Sequence, residues 1–546
     1  MNLFEELKHI IRGEVEDNEK TLETYSTDYS LFKVKPNVVV FPKDTEDIQN
    51  LVSYASEKKK KGGDISLTAR SAGTDMSGGP LNDSVIVECT RHVNRIREIT
   101  DTYAIVEPGL YYRDFERELD ARGLLYPAYP ASKDLCAIGG MVNNNSGGER
   151  TLKYGKTEKY VQEVSVVLSD GKEHTLRPLS GKELESKLKE EGFEGDLYRN
   201  IYALLDGNYD LIQKAKPKVS KNSAGYALWN AWDGKTLDLT QLIVGSQGTL
   251  GIMTSVKLGV ITKPAYSGLA VIFSRSLSSV PDLVRDLLAL NPESVESYDD
   301  KTLRFALRFF PSLFSFMKGG ILTLLFKFIP EILMVLKGGM PKMILLVSFA
   351  SHDKEEIKKN LLKTLEITKH YPARARVIKD EYEAQKYWVI RRQSFNLLHE
   401  RAKAMYAAPF IDDVIIDPQY MSEFLPKVNA ILEERKDKFI YTIAGHPGDG
   451  NFHIIPLIRL HDKETVDLLR PIMDRVYKLV SQYGGSITAE HNDGLIRTPY
   501  LLGMFGKSII DLFEEVKRIF DPLGVFNPRK KVHGDIDYAF SHLRDR

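Results

Sequence analysis

Two cysteines in 546 residues, Cys89 and Cys136, are too few for a disulfide framework or for the four thiolates of an iron–sulfur cluster. The chain is therefore read as working in a reducing compartment without a cluster of its own. Net charge is missing too. Lys+Arg 75 against Asp+Glu 75 give a formal +0, so the uniform basic field of a nucleic-acid binder is absent and no nucleic-acid partner is expected. No run of about 18 uncharged apolar residues occurs, which disfavours a membrane-spanning helix. The opening MNLFEELKHIIRG mixes acids and bases on a helical pattern and holds no continuous apolar stretch, so no export signal is expected and the reading is cytoplasmic. No G-x-G-x-x-G opens a helix after a strand and no Walker A loop is present, which removes the Rossmann fingerprint and the P-loop.

What is there is a globular composition, 42% hydrophobic and 27% charged, in a chain too long for one domain of roughly 100 to 200 residues. Residues 36–69 read as strand, helix, strand: NVVVFP, then DTEDIQNLVSYASEKKKKG with Asp44 or Thr45 as its cap, then DISLTA. Short β-rich runs follow at 84–89, 103–107 and 161–168, with glycine-rich loops between them. New strand-like runs at 269–273 and 343–349, with a charged amphipathic helix at 357–371, start a second α+β unit near Pro264 whose core is an antiparallel sheet. The expected division is a helical segment at 1–30, a first unit at 31–264, a second at 265–505 and a C-terminal segment at 506–546.

Residues 301–342 stand apart, rich in Phe, Leu and Ile and lopsided in charge. Lys301, Arg304, Arg308, Lys318, Lys327, Lys337 and Lys342 face a single acid, Glu331, and Pro330 interrupts the helix. Basic, aromatic-rich helices of this kind lie in the headgroup interface of anionic membranes. The other reading is a helical hairpin buried against the second unit or a partner.

Three glycine-rich stretches succeed one another. The first, ARSAGTDMSGG at 69–79, offers Gly73, Gly78 and Gly79 for unusual backbone angles and Arg70, Ser71, Thr74 and Ser77 as donors around Ala72, a nest suited to pyrophosphate. The second, AIGGMVNNNSGG at 137–148, brings Gly139, Gly140, Asn144, Gly147 and Gly148. The third, VGSQGTLGI at 244–252, brings Gly245, Thr249, Gly251 and Ile252. A fourth stretch, GHPGDGNFH at 445–453, sets a turn composition between two strand-like runs, so a hairpin would bring His446 and His453 side by side. Glu490, at the end of the strand-like run GGSITAEH, supplies a third donor, with His491 next to it. Two histidines and a carboxylate leave open positions on a divalent ion, as in catalytic zinc or ferrous sites. The alternative is a set of buried, hydrogen-bonded histidines.

Taken together, residues 36–42, 70–79, Glu107-Pro108-Gly109, 130–148 with Tyr154 and Gly155, 245–251 and FDPLGVFNPRK at 520–530 resemble the FAD-linked oxidase family of the vanillyl-alcohol oxidase (PCMH-type FAD-binding) superfamily, above all the flavin subunits of D-lactate, glycolate and D-2-hydroxyglutarate dehydrogenases. The resemblance implies an α+β fold: two subdomains holding FAD within 31–264, an α+β cap with an antiparallel sheet at 265–505, and a C-terminal segment that returns to the flavin. It implies flavin contacts at Pro130, Ser132 and Asn527 besides the loop residues above. Gln247 stands where the family usually has glutamate. No histidine or cysteine occupies a covalent-link position, so the FAD is expected to be non-covalent.

In the same resemblance His446, His453 and Glu490 hold the metal, zinc first with iron or manganese as alternatives, and His491 is the general base, an imidazole of pKa about 6.5 suited to neutral pH. Arg391, in YWVIRRQ, grips the substrate carboxylate through its two-pronged fork, and Arg497 is a second anion contact. Asp412 and Asp413 replace a basic residue of relatives that take a dicarboxylate, so a second carboxylate would meet negative charge. Asn492 replaces a common glycine, as in the long flavin and iron–sulfur fusions. The activity implied is oxidation of a small D-2-hydroxy acid, D-lactate-like, to the 2-oxo acid, with electrons passed to a quinone, an iron–sulfur subunit or an electron-transfer protein at the inner face of the cytoplasmic membrane. Three rivals are an oxygen-using flavin oxidase of sugars or alcohols, a non-catalytic FAD-binding subunit of a respiratory complex, and a structural membrane-surface protein. The membrane reading predicts co-sedimentation with anionic vesicles that is lost when residues 309–336 are deleted; a deletion variant that still sediments refutes it.

Overall fold

The computed structural model describes residues 2–308, 339–380, 383–391 and 405–544. Residues 309–338 of the basic apolar segment, and with them its membrane-surface reading, lie outside the described residues. No described helix is long and apolar enough to cross a membrane.

Three larger sheets organise the described residues, beside two of two strands each. In the first, the strands Glu14–Glu16, Val38–Phe41, Val85–Glu88 and Leu67–Arg70 lie side by side, the first pair antiparallel and the others parallel. Every residue of the central VVVF strand is buried, as expected of a strand covered on both faces. The helix Thr45–Lys60 packs Ile48, Leu51 and Val52 onto this sheet. Asp44 caps it by accepting from the N–H groups of Glu46 and Asp47, and Lys58, Lys59 and Lys60 complement the dipole at its other end. The far end of the chain joins the same sheet. Leu67 N–H donates to Val525 O (2.8 Å) and Asn527 N–H to Leu67 O (2.9 Å), while Val525 and Phe526 are buried among Val38, Leu67 and Val85.

The second sheet is antiparallel, in the order Ile96–Ile99, Tyr103–Val106, Ile252–Gly259, Val161–Val167 and Glu173–Leu176. Its core takes in Phe513, Val516 and Phe520 of the helix Lys507–Phe520, so the last segment packs with the first half of the chain.

The third sheet has eight antiparallel strands. Seven run in the order Ala373–Val377, Tyr266–Ser274, Met343–Ser351, Ser294–Asp299, Ile440–His446, Asn451–Ile458 and Tyr406–Ala407; Val414–Ile415 also pairs with Asn451–Ile458. Period-two alternation divides its faces. Ala270 and Ile272 pack with the helices Val280–Leu288, Lys354–Thr368, Met421–Glu433 and Lys463–Gln482, whereas Leu269, Val271 and Phe273 meet Tyr387 and Ile390 on the other side. The molecule is thus a mixed α+β fold with an antiparallel cap sheet.

One expected strand is not formed. Within residues 484–491 only Ser486 bridges a strand, at Ile415, and the rest is irregular, because the Asp413 carboxylate takes up the Thr488 hydroxyl and the N–H groups of Glu490 and His491. Phe526→Ala should cost about 3–5 kcal/mol by opening a core cavity. Guanidinium denaturation should therefore show a marked loss of stability in the variant.

Candidate functional site

A cavity of about 570 Å³ lies between the glycine loops of the first half and the cap sheet. Ser71, Ala72, Gly73 and Thr74 line it from the first loop, Pro130, Ser132, Gly139, Gly140, Asn144, Gly147 and Gly148 from the second, and Gly251 from the third. The glycines are there for space. A Cβ on Gly139 would stand 2.6 Å from Ser71 Oγ and one on Gly148 2.3 Å from the Tyr129 carbonyl, while Gly140 has nothing within 4 Å where a side chain would stand. Gly139 and Gly148 let the wall pack on itself, and Gly140 leaves backbone open where it lines the cavity.

Seven expected contacts stand behind that wall. Arg70 donates to the carbonyls of Tyr25 (3.2 Å) and Thr27 (2.8 Å) and braces the loop from below. Ser77 is bound to Asp75, and Gly78 packs on Phe32 and Leu495. Gly245 accepts from Asn492, Thr249 pairs with Tyr226, and Ile252 is core. Asn527 ties loops together: its amide donates to Gly79 O (3.0 Å) and Gln247 O (2.6 Å), and its carbonyl accepts from Thr68 (2.8 Å).

The opposite wall is the cap sheet. Alternation along Ile440–His446 turns Thr442, Ala444 and His446 to the cavity, and register pairs Ala444 with His453 on the neighbouring strand. The turn between them closes through Asp449 N–H donating to His446 O (2.9 Å). It ends at Gly450 (φ +74°), where a Cβ would lie 2.0 Å from Ile416 O. The two Nε2 atoms stand 3.3 Å apart, and Glu490 Oε1 is 3.6 Å from that of His446. Carboxylates hold the other ring nitrogens: Glu296 sits 2.5 Å from His446 Nδ1 and Asp412 3.2 Å from His453 Nδ1. With protons on the Nδ1 atoms, two bare Nε2 lone pairs and a carboxylate oxygen converge. The spacing is close to the edge of about 3.4 Å of a tetrahedron with 2.1 Å bonds, and the outer carboxylates are those that zinc-bound histidines use. The buried acids Glu296, Asp412, Asp413, Asp449 and Glu490 are met by Lys221, Arg391, Arg497, Lys156 and the imidazoles, with Lys221 Nζ 2.6 Å from Glu490 Oε1. The donor set fits a divalent cation.

The two histidines differ in basicity. Burial works against charge at both, but Glu296 carries His446 above the ordinary imidazole range, whereas at His453 burial prevails over Asp412. His491 departs from the expected ordinary pKa. Burial opposes its charge, yet Asp413 and Asp412, the latter in an ion pair of 2.9 Å, push it up to about 9. Two further expectations are corrected. Asp412 and Asp413 do not present free charge to a substrate: Asp412 serves His453 and His491, and Asp413 serves Thr488, Asn451 and two backbone N–H groups. Arg497 is fully buried and donates to the carbonyls of Asn492 (3.1 Å) and Asp412 (2.8 Å), which removes it as an anion contact.

Arg391 lines the cavity with its Nε 3.2 Å from Glu296 Oε2, so one carboxylate supports both this guanidinium and His446. Sequence reasoning missed Glu296, whose signal was an acid inside an otherwise buried strand. It also missed Lys221, which reaches from the first half to Glu490 (2.6 Å) and Asp449 (3.1 Å) and carried no local signal.

Comparisons with known proteins agree in family. Residues 36–177 match the FAD binding domain and residues 263–531 the FAD linked oxidases, C-terminal domain. A D-2-hydroxyglutarate dehydrogenase of Pseudomonas putida is 26% identical over 95% of this chain and 50% of its own length. A D-lactate dehydrogenase of Anaerostipes hadrus is 26% identical over 91% of this chain and 90% of its own. The chain spans about half the length of the first curated relatives it matches. In fold, 4-ethylphenol oxidase from Gulosibacter chungangensis superposes with a TM-score of 0.68 at 15% identity, over 98% of this chain and 97% of that one.

Asp413→Ala should free the segment that carries Glu490 and His491. Retention of added Mn²⁺, followed by metal analysis after desalting, should fall roughly 10–100-fold, as for other outer-shell partners of metal ligands, while bound flavin stays.

Proposed function

The chain belongs to the FAD-linked oxidases, and from that premise we propose that it oxidises a small D-2-hydroxy acid, D-lactate-like, to the 2-oxo acid. In this reading residues 31–264 with 506–546 hold FAD without a covalent link, and 265–505 carries the substrate and a divalent ion. The observation that supports it is one cavity lined by the Arg391 guanidinium, the His491 imidazole and the converging His446, His453 and Glu490 on the wall opposite the glycine loops. When bound, the flavin supplies a two-electron acceptor and the ion supplies Lewis-acid charge for a hydroxyl oxygen.

The chain's own residues do the rest. Arg391 holds the substrate carboxylate, its fork steadied through Nε by Glu296. His491 takes the hydroxyl proton on Nε2, since its Nδ1 faces the Asp412 carboxylate at 2.9 Å. Asp413 and Asp412 push His491 up to about 9, so the neutral imidazole that accepts the proton gains population as pH rises. Thr442, Ala444 and Ile455 line the cavity on the same wall and would face the substrate side chain. Cys89 and Cys136 line the cavity, and burial pushes both thiols up, Cys136 to about 12, which supports a non-covalent flavin. We assign reoxidation to a quinone, an iron–sulfur subunit or an electron-transfer protein.

Acid precipitation should leave the flavin in the supernatant. Under anaerobic conditions one D-2-hydroxy acid, and not its L-isomer, should bleach the oxidised flavin band; chelator should abolish the bleaching and divalent metal restore it. A flavin that no 2-hydroxy acid bleaches refutes the reading. His491→Ala should lower turnover by roughly 10²–10⁴ with flavin retained.

A further inference from the structure

We propose that Asp75 locks the three glycine loops into one flavin cradle and that Gln247 is matched to it, so that this pair of positions must hold one carboxylate and one amide. The inference rests on reading the cavity as the flavin site. Asp75 belongs to the first loop and lines the cavity. Its Oδ1 accepts from Ser77 N–H (2.5 Å), Ser77 Oγ (2.7 Å) and Gly79 N–H (3.2 Å), which shapes its own loop. Its Oδ2 accepts from Asn144 Nδ2 of the second loop (3.0 Å) and from Gln247 Nε2 of the third (3.4 Å). One side chain therefore spans all three loops.

The orientation of the Gln247 amide is set from outside the cradle. Its Oε1 accepts from Gly494 N–H (2.8 Å), so the NH₂ end is the one that turns to Asp75 and to Ser77 Oγ (3.2 Å). Gln247 is 6% exposed, and a Cβ on Gly79 would lie 2.5 Å from its Nε2, so the amide is tightly enclosed. A glutamate at 247 would keep the bond from Gly494 but lose the donor and set a second carboxylate against that of Asp75. Two carboxylates set that close repel each other, and the repulsion strains the loops. Reversing the roles, amide at 75 and carboxylate at 247, re-forms the bond with donor and acceptor exchanged, with the Asn144 amide turned over so that its carbonyl accepts from position 75 and its NH₂ donates to position 247.

The test uses the full chain as parent, Q247E, D75N and D75N/Q247E. It reads the flavin dissociation constant by fluorescence titration and the thermal midpoint of each flavin-free protein. Q247E should bind flavin at least about tenfold more weakly and melt earlier, and the double variant should return to within about threefold of the parent. Q247E binding flavin like the parent overturns the proposal, as does a double variant no better than the sum of its single losses. If the parent itself takes up no flavin, the functional reading fails. The midpoints still decide the pairing in that case, since recovery in the double variant supports it and additive losses overturn it.

Discussion

A single buried carboxylate, that of Asp413, sets the reactive end of the cap. It sits at φ +68°, in the left-handed region, and from there accepts from the Thr488 hydroxyl and from the N–H groups of Glu490 and His491. Those bonds replace the strand ladder that the GGSITAEH pattern would otherwise make. The consequence reaches in two directions. Glu490 is delivered to His446, and His491 is left between two acids that raise its basicity. Burying this much like charge is unfavourable unless something balances it, and the balance is shared among Lys221, Arg391, Arg497 and the histidines.

The same economy explains why neither half of the molecule makes the site alone. Lys221 and Lys156 come from the first half and bind Glu490 and the Ala489 carbonyl of the second. Asn492 donates to Gly245 O, and Gln247 accepts from Gly494 N–H. The C-terminal segment then crosses back, with Asn527 tying Gly79 to Gln247 beneath the cradle. Cofactor loops and cap segment are therefore held by one continuous polar network, and a displacement of either side is felt by the other.

Much of this was legible in the chain. The VVVF strand, its charged helix and the Asp44 cap follow from local pattern, and the antiparallel cap sheet follows from period-two runs at 269–273 and 343–349. His446 and His453 were legible as a pair because a short turn separates them, so a hairpin is the only way to place them. The glycine loops announced themselves through residues whose backbone needs are local. What the flavin-loop reading could not rank was which members face the cavity. Asn527, Arg70 and Thr249 turned out to brace the wall, because each found backbone or hydroxyl partners on its far side.

By itself the sequence determined the layers, the order of the glycine loops, the histidine hairpin and the absence of cysteines for a cluster, all of which depend on neighbours within a few residues or on simple counts. Only the tertiary structure decided the electrostatics. Glu296 meets His446 across 150 positions and Lys221 meets Glu490 across 269, and these contacts, with Asp412 and Asp413 turned inward, set which imidazole is basic. The charge state of a buried group is a sum over everything packed around it. Those neighbours come from segments that the linear order keeps far apart, so no local pattern could report it.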